Sequence, residues 1–148
     1  MALFLVSAWI VLLDQISKTI VMRALYPYEA VHCLGGMVRI THVRNPGAAF
    51  GILQNQVWLF ATATFLVASL VLTFYRRVPR SDWCMKLGLA LGLGGSLGNL
   101  VDRLRFGSVI DFIEIEPFPV FNLADCAIVA GVILLLFAIL RTPSREEE

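Results

Sequence analysis

Charge is scarce in this 148-residue chain. Asp, Glu, Lys and Arg together make up 16% of it, against roughly 25% in an ordinary soluble domain. A basic excess is also missing: the formal net charge of +1 lacks the electrostatic footprint of a nucleic-acid binder. Histidine occurs only as His32 and His42, and cysteine only at 33, 84 and 126. An odd cysteine count at those spacings gives neither a disulfide framework nor a metal-ligand motif. No HExxH motif and no glycine-rich loop ending in Gly-Lys-Ser/Thr is present, and no internal repeat or low-complexity tract is visible. What the chain does have is apolar surface. Hydrophobic residues make up 58%, and the mean hydropathy is +0.78. A soluble globule of this length could not hide so much, and a disordered chain would not carry it. The bilayer is the expected solvent.

Four stretches approach the ~20 apolar residues that a spanning helix needs: about 2–22, 57–75, 83–101 and 121–140. They leave no room for a separate soluble domain, so residues 1–148 are expected to form a single all-α integral membrane domain. A cleaved signal peptide is the alternative for the first stretch. It has no basic start and no clear small-residue cleavage site, and Asp14 and Lys18 interrupt it. Orientation follows from Lys and Arg in short loops. Arg76, Arg77, Arg80, Lys86, Arg141 and Arg145 fall on one side, and Arg23, Arg39, Arg44, Arg103 and Arg105 on the other. The density of the 76–86 link places both termini in the cytoplasm and the 23–56 and 102–120 segments outside. In the first outer segment, Met37 to Val43 alternates apolar and polar between Gly35-Gly36 and Asn45-Pro46-Gly47, the pattern of a half-exposed strand between turns. A small extracytoplasmic β-sheet lying on the membrane is expected. The Arg145–Glu148 tail reads as a solvated end.

The intramembrane polar residues are unevenly distributed. Asp14 and Lys18, then Asn99, Asp102 and Arg103, then Asn122 and Asp125 all fall toward the outer ends of their spans, with Asp111 in the outer loop. Alternating spans bring them to one face of the bundle, and ionisable groups at such a depth point to function. Each has a structural reading as well. Asp14 and Lys18 are an i,i+4 pair in the favourable order. Asn122 and Asp125 have the spacing of a helix cap and its N3 acid. Asp102 and Arg103 could snorkel to water, and Gly88, Gly92, Gly94, Gly95 and Gly98 suit close helix packing. With no credible Ser-His-Asp set, the chemistry left is that of carboxylates. Two aspartates sharing a proton can hydrolyse an amide, one activating water and the other supplying a proton. Asp111 with Asp125 can face each other in this way, although spacing does not choose them over Asp102 with Asp125. Glu114 and Glu116 alternate with isoleucines and read as a solvated strand face.

Five segments, in order, resemble the bacterial lipoprotein signal peptidases, the type II signal peptidases. They are Asp14-Gln-Ile-Ser-Lys18, Asn45-Pro-Gly-Ala-Ala-Phe-Gly51, Gly94-Gly-Ser-Leu-Gly-Asn-Leu-Val-Asp-Arg103, Val109-Ile-Asp-Phe112 and Phe121-Asn-Leu-Ala-Asp125. The resemblance covers nearly the whole chain. It implies an aspartic endopeptidase of the bacterial cytoplasmic membrane that removes the signal peptide from prolipoproteins, cutting on the amino side of a cysteine that already carries diacylglycerol. It also implies a catalytic pair at Asp111 and Asp125, supported by Asp14, Lys18, Asn45, Asn99, Asp102, Arg103 and Asn122. The outer loop around Asn45 would act as a substrate cradle near the outer leaflet, and globomycin-type cyclic peptides would inhibit. No metal or organic cofactor and no nucleic acid is implied, and a monomer in contact with membrane lipid would suffice. Cys126 departs from the family's frequent serine after the second aspartate. Two rival readings are a proton-coupled transporter, which needs polar groups through the full depth and inverted repeats, and a non-catalytic membrane scaffold. Arg103 and Asn99 are expected to hold backbone or substrate carbonyls.

Overall fold

The computed structural model describes residues 2–47, 53–79 and 81–141. The Ala48–Gly51 part of the outer-loop motif, Arg80 and the Arg145–Glu148 tail lie outside the described residues. In chain order the elements are α1 (Ala2–Ala24), β1 (Ala30–Cys33), a short 3-10 turn (Leu34–Gly36), β2 (Val38–Asn45), α2 (Val57–Tyr75), α3 (Trp83–Phe106), β3 (Val109–Glu114) and α4 (Leu123–Arg141). The four helices are each long and apolar enough to cross a membrane.

Helix α3 is the central element, packing against α1, α2 and α4. Its glycines make the close approaches. A Cβ on Gly98 would lie 2.7 Å from Oδ2 of Asp14, and one on Gly94 would lie 2.9 Å from the side chain of Ile10. Only a residue without a side chain fits there, as in other close membrane helix pairs. Asp82 caps the start of α3 by accepting from the Met85 N–H at 3.1 Å. The helix runs five residues past the apolar stretch that ends at Val101. It stops where Gly107 adopts φ +71°, the left-handed conformation that ends helices. Helix α4 starts at Leu123 rather than Phe121, because Asn122 is its cap. Toward the end of the bundle where α1 begins, Leu3, Val71, Ala90 and Leu93 form a buried apolar cluster.

The three strands form one antiparallel sheet in the order β1-β2-β3. Arg39 pairs with Glu114 and Ile40 with Ile113, whereas beyond an irregularity Val43 pairs with Asp111 and Asn45 with Val109. β2 therefore carries one extra residue between Ile40 and Val43, a β-bulge. Because side chains alternate along a strand, that single insertion moves Val43 and Asn45 onto the face of Asp111. Glu114 is not a freely solvated side chain: it is half-buried and ion-paired with Arg39.

Candidate active site

The end of the bundle that carries the sheet is held together by one continuous polar network. At its base is Lys18, 1% exposed, between Asp14 (0%) and Asp102 (1%). Its ammonium lies 2.8 Å from Oδ2 of each acid and donates to Oδ1 of Asn99 at 3.1 Å. The sequence pair Asp14–Lys18 is thus two members of a three-residue ionic cluster. A cation buried this deeply requires such partners. Gln15, which sequence reasoning did not single out, closes the cluster by donating to Oδ1 of Asp102 at 2.8 Å. Its only sequence signal is an amide inside an otherwise apolar span.

The two acids also reach outward. Oδ1 of Asp14 accepts from the Ala124 N–H at 3.0 Å, and Oδ2 of Asp102 accepts from the Ile110 N–H at 3.0 Å. Ala124 and Ile110 immediately precede Asp125 and Asp111. Asp102 therefore spends its oxygens on Lys18, Gln15 and a backbone N–H.

Asp111 and Asp125 are bridged by Asn122, which is fully buried. The Asn122 side-chain amide donates to Oδ1 of Asp111 at 2.7 Å. Oδ1 of Asn122 accepts from the Asp125 N–H at 2.9 Å, and Oδ2 of Asp125 accepts from the Asn122 N–H at 3.2 Å. This is a reciprocal capping box, so the structural reading of Asp125 holds alongside any other. The remaining oxygen of each acid also takes an amide: Nδ2 of Asn45 donates to Oδ2 of Asp111 at 2.9 Å, and Nδ2 of Asn99 to Oδ1 of Asp125 at 2.7 Å. Asn45 reaches Asp111 as its diagonal cross-strand neighbour, a position created by the bulge. Asn99 thus donates to the Asp125 carboxylate, where the sequence reading expects a backbone or substrate carbonyl. Arg103 does hold a carbonyl, donating to Gly47 O at 3.1 Å, with its guanidinium 4.0 Å above the Phe60 ring.

The electrostatics separate the two acids by environment. Asp111 is buried and Asp125 half-buried. Burial, reinforced by the Asp125 charge, pushes the Asp111 carboxyl up from 3.8 to about 7, against the opposing pull of the Asn45 and Asn122 hydrogen bonds and the Lys18 charge. Among the described residues, no group of three or more His, Cys, Asp or Glu side chains is placed to hold a metal ion.

The family model for signal peptidase (SPase) II matches residues 6–141. The chain is 49% identical over 138 residues to a lipoprotein signal peptidase of Moorella thermoacetica, covering 93% of this chain and 92% of that one. It is 39% identical over all 148 residues to a lipoprotein signal peptidase of Pelotomaculum thermopropionicum, covering 97% of that protein. A bacterial membrane enzyme solved by the in meso method at 2.3 Å superposes with a TM-score of 0.91 at 30% identity, over 99% of this chain and 92% of the other. A match of this extent in sequence and fold places the chain in the signal peptidase II family, the lipoprotein signal peptidases, which are proteases.

Proposed function

We propose that Asp111 and Asp125 are the catalytic pair of an aspartic endopeptidase. This enzyme removes the signal peptide from diacylglyceryl-modified prolipoproteins on the amino side of the lipidated cysteine. The observation that carries the reading is the double role of Asn122, which hydrogen-bonds one carboxylate and caps the helix that bears the other. A single buried side chain thereby sets two acids from different elements against each other.

Hydrolysis requires the acids in opposite protonation states. Asp111, buried and pushed up to about 7, is the partner that holds the proton, and it hydrogen-bonds the scissile carbonyl. Asp125, the other partner, accepts from the Asn99 amide and the Asn122 N–H. It takes a proton from the attacking water and later passes it to the leaving amine. Arg103 and Asn45 line the approach, the first through the Gly47 carbonyl and Phe60, the second through Asp111. Asp14, Lys18, Asn99 and Asp102 support the pair from below.

The site lies toward the outer leaflet, with both termini in the cytoplasm. The dense Arg and Lys of the α2–α3 link support this orientation. A signal peptide is itself a membrane segment, and its scissile bond would meet the polar network at that depth. Globomycin-type peptides compete for the same place, and a monomer carries the whole site.

The test is cleavage of a diacylglyceryl prolipoprotein by purified wild type, Asp111→Asn and Asp125→Asn, each checked for folding. Cleavage by wild type alone is expected. Cleavage retained by a folded Asp125→Asn would leave that residue as a cap only and turn attention to Asp102.

A further inference from the structure

The Lys18 ammonium contacts Asp14, Asp102 and Asn99, and each of these three contacts leads to Asp111 or Asp125. Through Asp14 it reaches the N–H of Ala124, the residue before Asp125. Through Asp102 it reaches the N–H of Ile110, the residue before Asp111. Its third contact, with Oδ1 of Asn99, turns the opposite end of that amide to the Asp125 carboxylate. Phe121, just before α4, pairs with Ile113 of β3 through backbone hydrogen bonds; nearer the two acids, the first turn of α4 and the start of β3 are joined through Asn122 above and through the cluster around Lys18 below.

We infer that Lys18 is a positioning residue that sets the spacing of the two aspartates, drawing two carboxylates to one ammonium so that the backbone each one grips is fixed relative to the other. The inference rests on the reading of Asp111 and Asp125 as the catalytic pair. The physical ground is geometric. The ammonium is a compact point charge with three donors, and here all three are spent on groups that hold the pair. A pair required to share one proton tolerates little change in separation, and a displacement of about 1 Å can cost ~10²-fold in rate. Asn99 gains a fixed orientation from the same cation, because a side-chain amide with its oxygen on an ammonium cannot flip.

Lys18→Met alone leaves two buried carboxylates without their cation and could unfold the protein. The charge-balanced variant Lys18→Met/Asp102→Asn leaves only Asp14 in that state. It removes one charge of each sign and keeps an oxygen to accept from Ile110. The expected result is a folded protein whose kcat is about 10²-fold lower, with KM for the lipidated substrate changed less than about threefold. A second readout is the alkaline limb of the pH profile. The charged groups facing Asp111 are Lys18 from α1, Arg103 and Asp102 from α3, and Asp125 from α4, with the Asn45 and Asn122 amides on its oxygens. Loss of the Lys18 cation moves that limb to higher pH and loss of the Asp102 anion moves it back, so the double variant should keep a limb near the wild-type pH while kcat falls. Lys18→Arg, which keeps the charge but alters its reach, is expected to lose kcat as well. Wild-type kcat in either folded variant overturns the inference, as does a fall in kcat matched by a rise in KM. Asp111→Asn run alongside separates the failures: if it cleaves, the catalytic pair is misassigned; if it is dead while the Lys18 variants are fully active, only the spacing role falls.

Discussion

The two ends of this helix bundle are held together by different forces. Where α1 begins, Leu3, Val71, Ala90 and Leu93 pack as a small apolar cluster. One hydroxyl hydrogen bond adds to it, from Ser7 to the Ala90 carbonyl at 2.8 Å. At the other end, three helices and a sheet are joined by charges and amides, with three of the charged side chains essentially inaccessible. In lipid the apolar end gains little from hydrophobic burial, since tails are as apolar as leucine, and it depends on close contact. The polar end has a harder constraint: every buried donor and acceptor must be matched. That requirement makes it specific. Packing tolerates small shifts, but a network in which Asp14, Lys18, Asn99, Asp102 and Asn122 share partners has few alternative arrangements.

The sharpest way to separate the ends is to change one atom type at each. Asp111→Asn or Asp125→Asn should abolish cleavage, by about 10²–10⁴-fold, while the protein remains folded in detergent. Leu93→Ala should do the reverse: a loss of about 2 kcal/mol in stability with cleavage per folded molecule unchanged, read by thermal unfolding alongside the same assay. Equal activity losses at both ends would dissolve the distinction. Asn122→Ala tests the polar end from within. The lost cap costs about 1 kcal/mol, and cleavage is expected to drop well beyond that loss of stability, since the same residue orients Asp111.

The next effect is in pH. Asp111 in the folded protein titrates at about 7, above its ordinary 3.8. Between those values the folded protein holds a proton that the unfolded chain has released. Stability from this group therefore declines as pH rises through the window, and is level above it. Cleavage should fall above about pH 7 as the pair loses its shared proton. Asp111→Asn should flatten its share of the stability slope, which unfolding curves from pH 4 to 8 would detect. A wild-type slope persisting in that variant would assign it elsewhere. The smallest effect is expected from Arg39→Ala on the outer sheet. Arg39 pairs with Glu114 at the surface, where solvent screens the attraction; cleavage and unfolding midpoint should both stay close to wild type.

Much of this could be read along the chain, for physical reasons. Span length and hydropathy are local, so four helices and their approximate ends were legible. The polar residues were conspicuous because ionisable groups are costly at that depth. The Asn122–Asp125 capping box was legible too, being a contact at i,i+3. Other features were not. Gln15 looked like an interruption in a span, and its partners lie on α3, far along the sequence. Asn99 was assigned a carbonyl, but the place of Asp125 gave it a carboxylate. Spacing alone leaves Asp102 an equal of Asp111, whereas in the fold its oxygens are engaged by Lys18, Gln15 and the Ile110 N–H.

By itself, then, the sequence determined the solvent, the number of spans and the set of polar residues confined to one end, because each depends on composition and local period. The tertiary structure alone decided which of those residues face one another. The β2 bulge shows why. One extra residue between Ile40 and Val43 puts Asn45, not Arg44, on the face of Asp111. Nothing local in the sequence marks that insertion, because a bulge is defined by the register of two strands about 70 residues apart.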